Sequence, residues 1–217
     1  RRQRQMCIRD SIHTDVLMKA VLKRNLNLIG KKRLSHVWHM TLEKNDKPFI
    51  ITDGALNVLP KLETKMHILK NSVDFAKRIG INKPKVSVLS ATEEVLESVP
   101  SSMDAKELSE RAKAEGIDAE VFGPMAFDNS VSEKAAQIKG IKNAVAGKTD
   151  ILLVPNVESG NALVKMMIYF RDELHGRIQH WRFRYVTTVV HLHIGPCGGG
   201  VLGSRGSRRK YRGESLP

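Results

Sequence analysis

Apolar positions through the middle of the chain switch between a spacing of two and a spacing near 3.6, the marks of strand and helix. Ile12, Val16, Leu17, Ala20 and Val21 recur at helical spacing behind Ser11 or Thr14, which predicts a helix ending before Gly30. SHVWHMTL and PFIIT read as strands joined by the turn EKNDK. Leu62, Met66, Leu69, Val73, Ala76 and Ile79 share one face of a second helix, which Gly80 closes. KVSVLS, after Pro84, reads as a strand, a helix around residues 103–115 stops at Gly116, and AEVF is a further short strand. Ser130 and Glu133 have the spacing of a capping box and predict a helix through Ile138. DILLVP is short, apolar and uninterrupted, as a strand buried on both faces should be.

This alternation predicts an α/β fold in three layers, a parallel sheet with helices on both faces. In such folds ligands gather beyond the carboxyl ends of the strands. Three loops leave strands there: TDGALNVLP after PFII, GPMAFDNSVS after AEVF, and PNVESGN after DILLV. Each leads into a helix whose first turn presents free N–H groups and a positive dipole end, so an anionic ligand is expected. The polar side chains of these loops are Asp53, Asn57, Asp128, Asn129, Glu158 and Asn161. Each has an equally ordinary use in capping a helix or closing a turn.

Composition narrows the class. At 217 residues and 41% hydrophobic, the chain has material for one or two domains with a core. It contains no apolar run of membrane-spanning length and no secretory signal, so a cytoplasmic protein without a membrane partner is expected. Cys7 and Cys197 lie near opposite ends and form no CxxC motif, which points away from a disulfide framework or a metal site. The net charge of +13 invites a nucleic-acid partner until it is placed along the chain. Nine of the thirteen surplus charges fall in residues 1–11 and 171–217, leaving the middle nearly balanced, so nucleic acid is not expected as a partner. The middle carries 19 Lys to 4 Arg, whereas the two ends together carry 1 Lys to 12 Arg. Phosphate contacts do not require such a swap of residue type. The expectation is therefore a non-native head over residues 1–11, a partial α/β region over 12–170, and an out-of-frame or disordered basic tail over 171–217. The tail's Gly and Arg block and its lack of apolar periodicity support that division, against a genuine basic extension.

Several stretches stand in one order across residues 11–170: SIHTDVLMKAVL, RLSHVWHM, PFIITDGALNVLP with LETKMHIL, PKVSVLSATE, the run from GPMAFDNSVS through IKGI and VAGKTDILLVP, and VESGNALVKMMIY. Chained in this way they resemble the phosphate acetyl/butyryltransferase family, the butyryl enzymes more than the acetyl ones. The resemblance implies transfer of an acyl group between coenzyme A and inorganic phosphate, giving an acyl phosphate and free CoA. It implies acyl-CoA and phosphate as substrates, no bound cofactor and no metal. It also implies a fold similar to isocitrate and isopropylmalate dehydrogenases, with two domains around a cleft, and allows a homo-oligomer for the intact family member.

Carried onto this sequence, the resemblance places ten residues around the cleft as substrate-binding or cleft-lining. They are Thr14, Asp15 and Lys19 in HTDVLMK, Arg33 in RLSHV, Asp53 and Asn57 in TDGALN, Asp128 and Asn129 in AFDNS, and Gly160 and Asn161 in ESGN. Lys19 stands where the butyryl enzymes more often carry Arg, and loses the bidentate fork. Asn156 stands where the family usually has Asp. The catalytic residues are not assigned, because the family's Ser-Arg pair with a following acid has no counterpart beyond Phe170. Ser204-Arg205 and Ser207-Arg208 follow Gly-rich sequence and meet no carboxylate before Glu214. The chain is thus expected to be an inactive fragment of such an enzyme. Two other readings compete: a dehydrogenase of the same fold, against which stands the lack of a GxGxxG motif, and a binding module whose basic tail grips nucleic acid.

Overall fold

In a computed structural model of the chain, the structure describes residues 33–42, 47–169, 183–191 and 201–203. The first predicted helix, both cysteines and the two late Ser-Arg pairs lie outside the described residues. Strands β1 (Ser35–Leu42) and β2 (Pro48–Thr52) fall where the alternation of SHVWHMTL and PFIIT predicts them. Helix α1 (Leu62–Arg78) presents Met66, Leu69, Val73 and Ala76 to the core and ends before Gly80, whose φ of 98° only glycine adopts freely. Then follow β3 (Lys85–Leu89), α2 (Pro100–Ala114), β4 (Glu120–Met125), α3 (Phe127–Val131), α4 (Glu133–Ile138), β5 (Ile151–Leu153) and α5 (Val157–Tyr169).

Boundaries differ from expectation in three places. Helix α2 starts earlier, with Pro100 at its first turn, where a missing N–H costs nothing. Strand β4 runs through Gly123 and Pro124 to Met125, residues expected in a loop. Proline is tolerated because β4 is an edge strand, and a Cβ at Gly123 would come within 2.7 Å of the Val88 side chain on β3. Ser130 does not cap a helix. It sits inside α3, bonded to the Ala126 carbonyl and to Ser87 Oγ at 2.6 Å, while Ser132 caps α4 by accepting the Ala135 N–H.

The strands form one sheet in the order β4-β3-β5-β2-β1-β6-β7. Strands β4, β3, β5 and β2 are parallel, whereas β1 returns antiparallel to β2 as a hairpin partner. The sheet is therefore mixed, mostly parallel in its α/β half, and the expectation of a parallel sheet holds only there. Five residues between β1 and β2 are too few for the crossover that parallel strands require. Strands β6 (Phe183–His191) and β7 (Val201–Gly203) extend the sheet beyond β1, with Ser35 opposite His191. Both lie in the stretch expected to be an out-of-frame or disordered tail. YVTTVVH is rich in β-branched residues, and the outer edge of β1 offers a row of backbone donors and acceptors.

Helices cover both faces, as predicted. On one face Val37, Ile50, Val86, Val88, Ile151 and Leu153 pack with α1 and α2. On the other, Met40, Phe49, Ile51, Leu89 and Leu152 pack with Phe127 and Val131 of α3 and Val164 of α5. β5 contributes to both cores and is fully buried, as its unbroken apolar run requires. At the amino-terminal edge Asp150 ties three strands together. It accepts the Lys85 N–H at 2.9 Å, pairs with Lys47 Nζ at 3.0 Å, and its carbonyl accepts the Ile50 N–H.

Candidate functional site

Because β2, β3, β4 and β5 run parallel, their exit loops share one edge of the sheet. The antiparallel β1 begins there, bringing Arg33 and His36 to the same edge. Helices α1 and α2 also start on this side, and neither has a side-chain cap. The first-turn N–H groups of α1 remain available to an anion, whereas α2 begins with Pro100, which has no N–H, and its Ser102 N–H is taken by the Val99 carbonyl at 2.8 Å.

Asp53, the first residue after β2, is only 2% exposed and follows a cis peptide bond. Its Oδ1 accepts the backbone N–H groups of Ala55 and Leu56, both at 3.0 Å. Its Oδ2 accepts the His36 backbone N–H at 3.2 Å and the Asn57 amide at 2.6 Å. Asn57 also donates to the Leu34 carbonyl at 3.1 Å. Asp53 therefore organises the turn and fastens it to β1, with its acceptor sites engaged. Asn71 of α1 completes the anchoring of β1 by donating to the Arg33 carbonyl at 2.9 Å and to Ser35 Oγ at 3.0 Å. Arg33 itself is exposed, and its guanidinium pairs with no described residue.

The β5 exit meets the β2 exit backbone to backbone. Asn156 caps α5, its Oδ1 accepting the Ser159 N–H at 2.9 Å, so the residue that departs from the usual Asp keeps the capping role. One turn later, a Cβ on Gly160 would lie 2.9 Å from Gly54 Cα and 2.8 Å from Val154 Cγ2. Asn161 reaches the Gly54 carbonyl at 3.4 Å. Gly160→Ala is therefore expected to destabilise the protein by about 2 kcal/mol, because overpacking against backbone outweighs the better helix propensity of alanine. Urea unfolding reads the difference, and an unchanged midpoint would mean the two loops are not in contact.

At the β3 and β4 exits a second polar group assembles. Asn129 is fully buried and donates its amide to Glu93, which also takes Lys139 Nζ at 2.6 Å. Hydrogen bonding to Lys139, with Asn129 adding, holds the Glu93 carboxyl below the usual carboxylate range. Asp128 is exposed and lies 3.9 Å from the same ammonium. Ser90 and Ser101 share a hydroxyl hydrogen bond at 3.0 Å where β3 leads towards α2.

The structure thus gathers Arg33, Asp53, Asn57, Gly160 and Asn161 at the β2 and β5 exits, and Asp128 and Asn129 at the β4 exit. Among the described residues no hydrogen bond or ion pair joins the two groups, although both line one edge. Thr14, Asp15 and Lys19 lie outside the described residues. Glu93 and Lys139 were missed. The rule that flagged the other strand-exit loops would have found Glu93 in SATEE. His36 was missed as well: it is 3% exposed, and burial drives its pKa down to about 4 against the opposing pull of Asp53. A histidine within an alternating strand, directly before the TD turn in space, leaves no sign in spacing alone.

Comparison with known proteins gives this edge a context. Residues 13–176 match the family described as phosphate acetyl/butaryl transferase. The phosphate acetyltransferase of Rickettsia felis is 44% identical over 164 residues, covering 75% of this chain and 47% of that protein. The phosphate butyryltransferase of Clostridium acetobutylicum is 38% identical over 176 residues, covering 80% of this chain and 58% of that one. The solved branched-chain phosphotransacylase of Enterococcus faecalis superimposes with a TM-score of 0.72 at 33% identity, over 82% of this chain and 60% of that chain. A Streptococcus pyogenes phosphotransacetylase, at 24% identity and a TM-score of 0.61, shares the fold. The chain spans about half the length of the acetyl-type relatives it matches. With three quarters of its residues inside the family's span, the chain belongs to the phosphate acetyl/butyryltransferase family.

Proposed function

We propose that this chain carries the substrate-holding α/β unit of an enzyme that moves an acyl group, acetyl or butyryl, between coenzyme A and inorganic phosphate. The observation that carries the reading is the match over residues 13–176, whose relatives are named for both acyl groups. In the reaction a phosphate oxygen attacks the thioester carbonyl carbon, the C–S bond breaks, and the proton lost by phosphate ends on the CoA sulfur. The chain offers groups suited to holding phosphate oxygens on this edge: Arg33, whose guanidinium pairs with no described residue, and the uncapped start of α1. Acyl-CoA and phosphate are its ligands in this reading, within a cytoplasmic enzyme. No helix among the described residues is long and apolar enough to cross a membrane. The wider likeness to isocitrate and isopropylmalate dehydrogenases, with a cleft between two domains, belongs to the same proposal.

Ser204-Arg205 directly follows the short strand β7, but no carboxylate stands between it and Glu214, so the complete Ser-Arg and acid group implied by the family resemblance is not supplied in the expected register. Removing one such donor costs about 10² to 10³ in rate. The expected result is that the chain binds CoA and phosphate, read by equilibrium dialysis, but shows no phosphate-dependent release of CoA thiol from acetyl-CoA or butyryl-CoA. Failure to bind either ligand would overturn the reading, as would nicotinamide-dependent turnover.

A further inference from the structure

Trp38 Nε1 and His36 Nδ1 are both buried, and neither has a hydrogen-bond partner among the described residues. The two rings meet edge to face, centroids 5.0 Å apart at 71°, so the unpaired nitrogens belong to one locality. Burying a donor without an acceptor costs about 1–3 kcal/mol. A phenylalanine at position 38 would supply a ring without a donor, so packing alone gives no reason for the indole. The wall beside it is backbone: a Cβ on Gly54 would stand 3.2 Å from Nε1.

The chemistry of the missing partner follows from the groups around it. An indole N–H only donates, so the partner is an acceptor. His36 is neutral at physiological pH and brings no charge. The Asp53 carboxylate takes the His36 backbone N–H, and no described Lys or Arg forms an ion pair with it, so an anionic oxygen would be repelled here. A neutral carbonyl oxygen meets each requirement, accepting from the indole N–H and from the His36 tautomer that carries its proton on Nδ1.

We propose that Trp38 Nε1 and His36 Nδ1 form a subsite, at the seam of the β2 and β5 exits, for a neutral carbonyl oxygen on the arm of an acyl-CoA. That arm carries two amide carbonyls and the thioester carbonyl, and the subsite takes one of them. The subsite rests on the acyl-CoA reading above and deepens it. Both nitrogens lie under cover, so the arm enters by local opening of the turn that begins at Gly54.

The test uses the chain with ¹⁵N-labelled indoles, the Trp38 resonance assigned with Trp38→Phe, and binding measured separately by equilibrium dialysis. The probes are CoA, butyryl-CoA and adenosine 3′,5′-bisphosphate, which lacks the arm. The Trp38 resonance is expected to move downfield with CoA if an amide carbonyl is held, or with butyryl-CoA alone if the thioester is held, and to stay unmoved with the bisphosphate. Trp38→Phe is expected to weaken binding of the responsive compound about 3- to 10-fold, the worth of one hydrogen bond. It should leave bisphosphate binding and ligand-free stability undiminished, which loss of a merely structural residue would not. Binding with an unmoved Trp38 resonance, or unchanged affinity in Trp38→Phe, overturns the subsite and leaves the acyltransferase reading standing. Absence of binding by CoA and butyryl-CoA alike overturns both.

Discussion

Asp53→Asn is expected to lower the unfolding free energy by about 3–6 kcal/mol, from loss of two charge-assisted hydrogen bonds at roughly 1.5–3 kcal/mol each. The substitution preserves volume, so cavity formation does not contribute. The carboxylate accepts on both oxygens, two N–H groups on each side. An amide has one oxygen only. Whichever way it turns, its NH₂ faces two donors, either those of Ala55 and Leu56 or those of His36 and Asn57. One side of the turn must release, and the β2 exit loses its tie to β1 or its own closure. Urea unfolding at neutral pH measures the effect, with Asn57→Ala as the milder comparison because it removes a single donor to the carboxylate. A change below about 1 kcal/mol for Asp53→Asn would mean the carboxylate does not carry these bonds.

Stability is expected to fall by about 3 kcal/mol as pH drops from 6.5 to 4, through His36 alone. Above pH 6.5 the imidazole is neutral in both folded and unfolded chains, and its full contribution is present. Below 6.5 the unfolded chain takes up a proton that the folded chain refuses, because burial holds the native pKa near 4. The loss continues until the native state also protonates near that value, then levels off. His39 adds to the trend in the same direction, since burial lowers its pKa too. His36→Phe should flatten the limb between pH 6.5 and 4, because Asp53 is bonded to the backbone N–H of residue 36 and keeps that bond. A limb of equal steepness in the variant would assign the acid sensitivity to other groups. Glu93 separates from this limb. Its pKa is lowered, so its contribution is present above the ordinary Glu value and is lost only as pH falls through the depressed native one.

Much of the α/β half was legible because its signals are local. SHVWHMTL and PFIIT alternate, Gly80 and Gly116 stop helices at positive φ, and DILLV is apolar without interruption. The errors arose where meaning depends on distant neighbours. GPM reads as a turn until β3 is seen lying close enough to exclude a Cβ at Gly123, and Ser130 reads as a cap until Ser87 appears across the core. The direction of β1 was within reach, since so short a link between two strands permits only a hairpin. The site divides in the same way. That TDGALN and ESGN lie together follows from parallel strands, but Asp53 reads as a ligand group until its four donors are counted, one of them seventeen residues upstream. Glu93 escaped because the segment that follows the strand KVSVLS was not counted among the exit loops.

The position of β5 sets an order of assembly. Its three residues bridge β2 and β3, which do not pair with each other. During synthesis the β1–β2 hairpin and the β3–α2–β4 unit can each form from nearby sequence, yet they remain two separate half-sheets until Ile151–Leu153 has emerged. Closing that gap requires contacts across about a hundred residues, the kind that slows folding through loop-closure entropy. The shortest strand of the α/β half is therefore the keystone, and until it docks the inner edges of β2 and β3 stand open to any other extended chain.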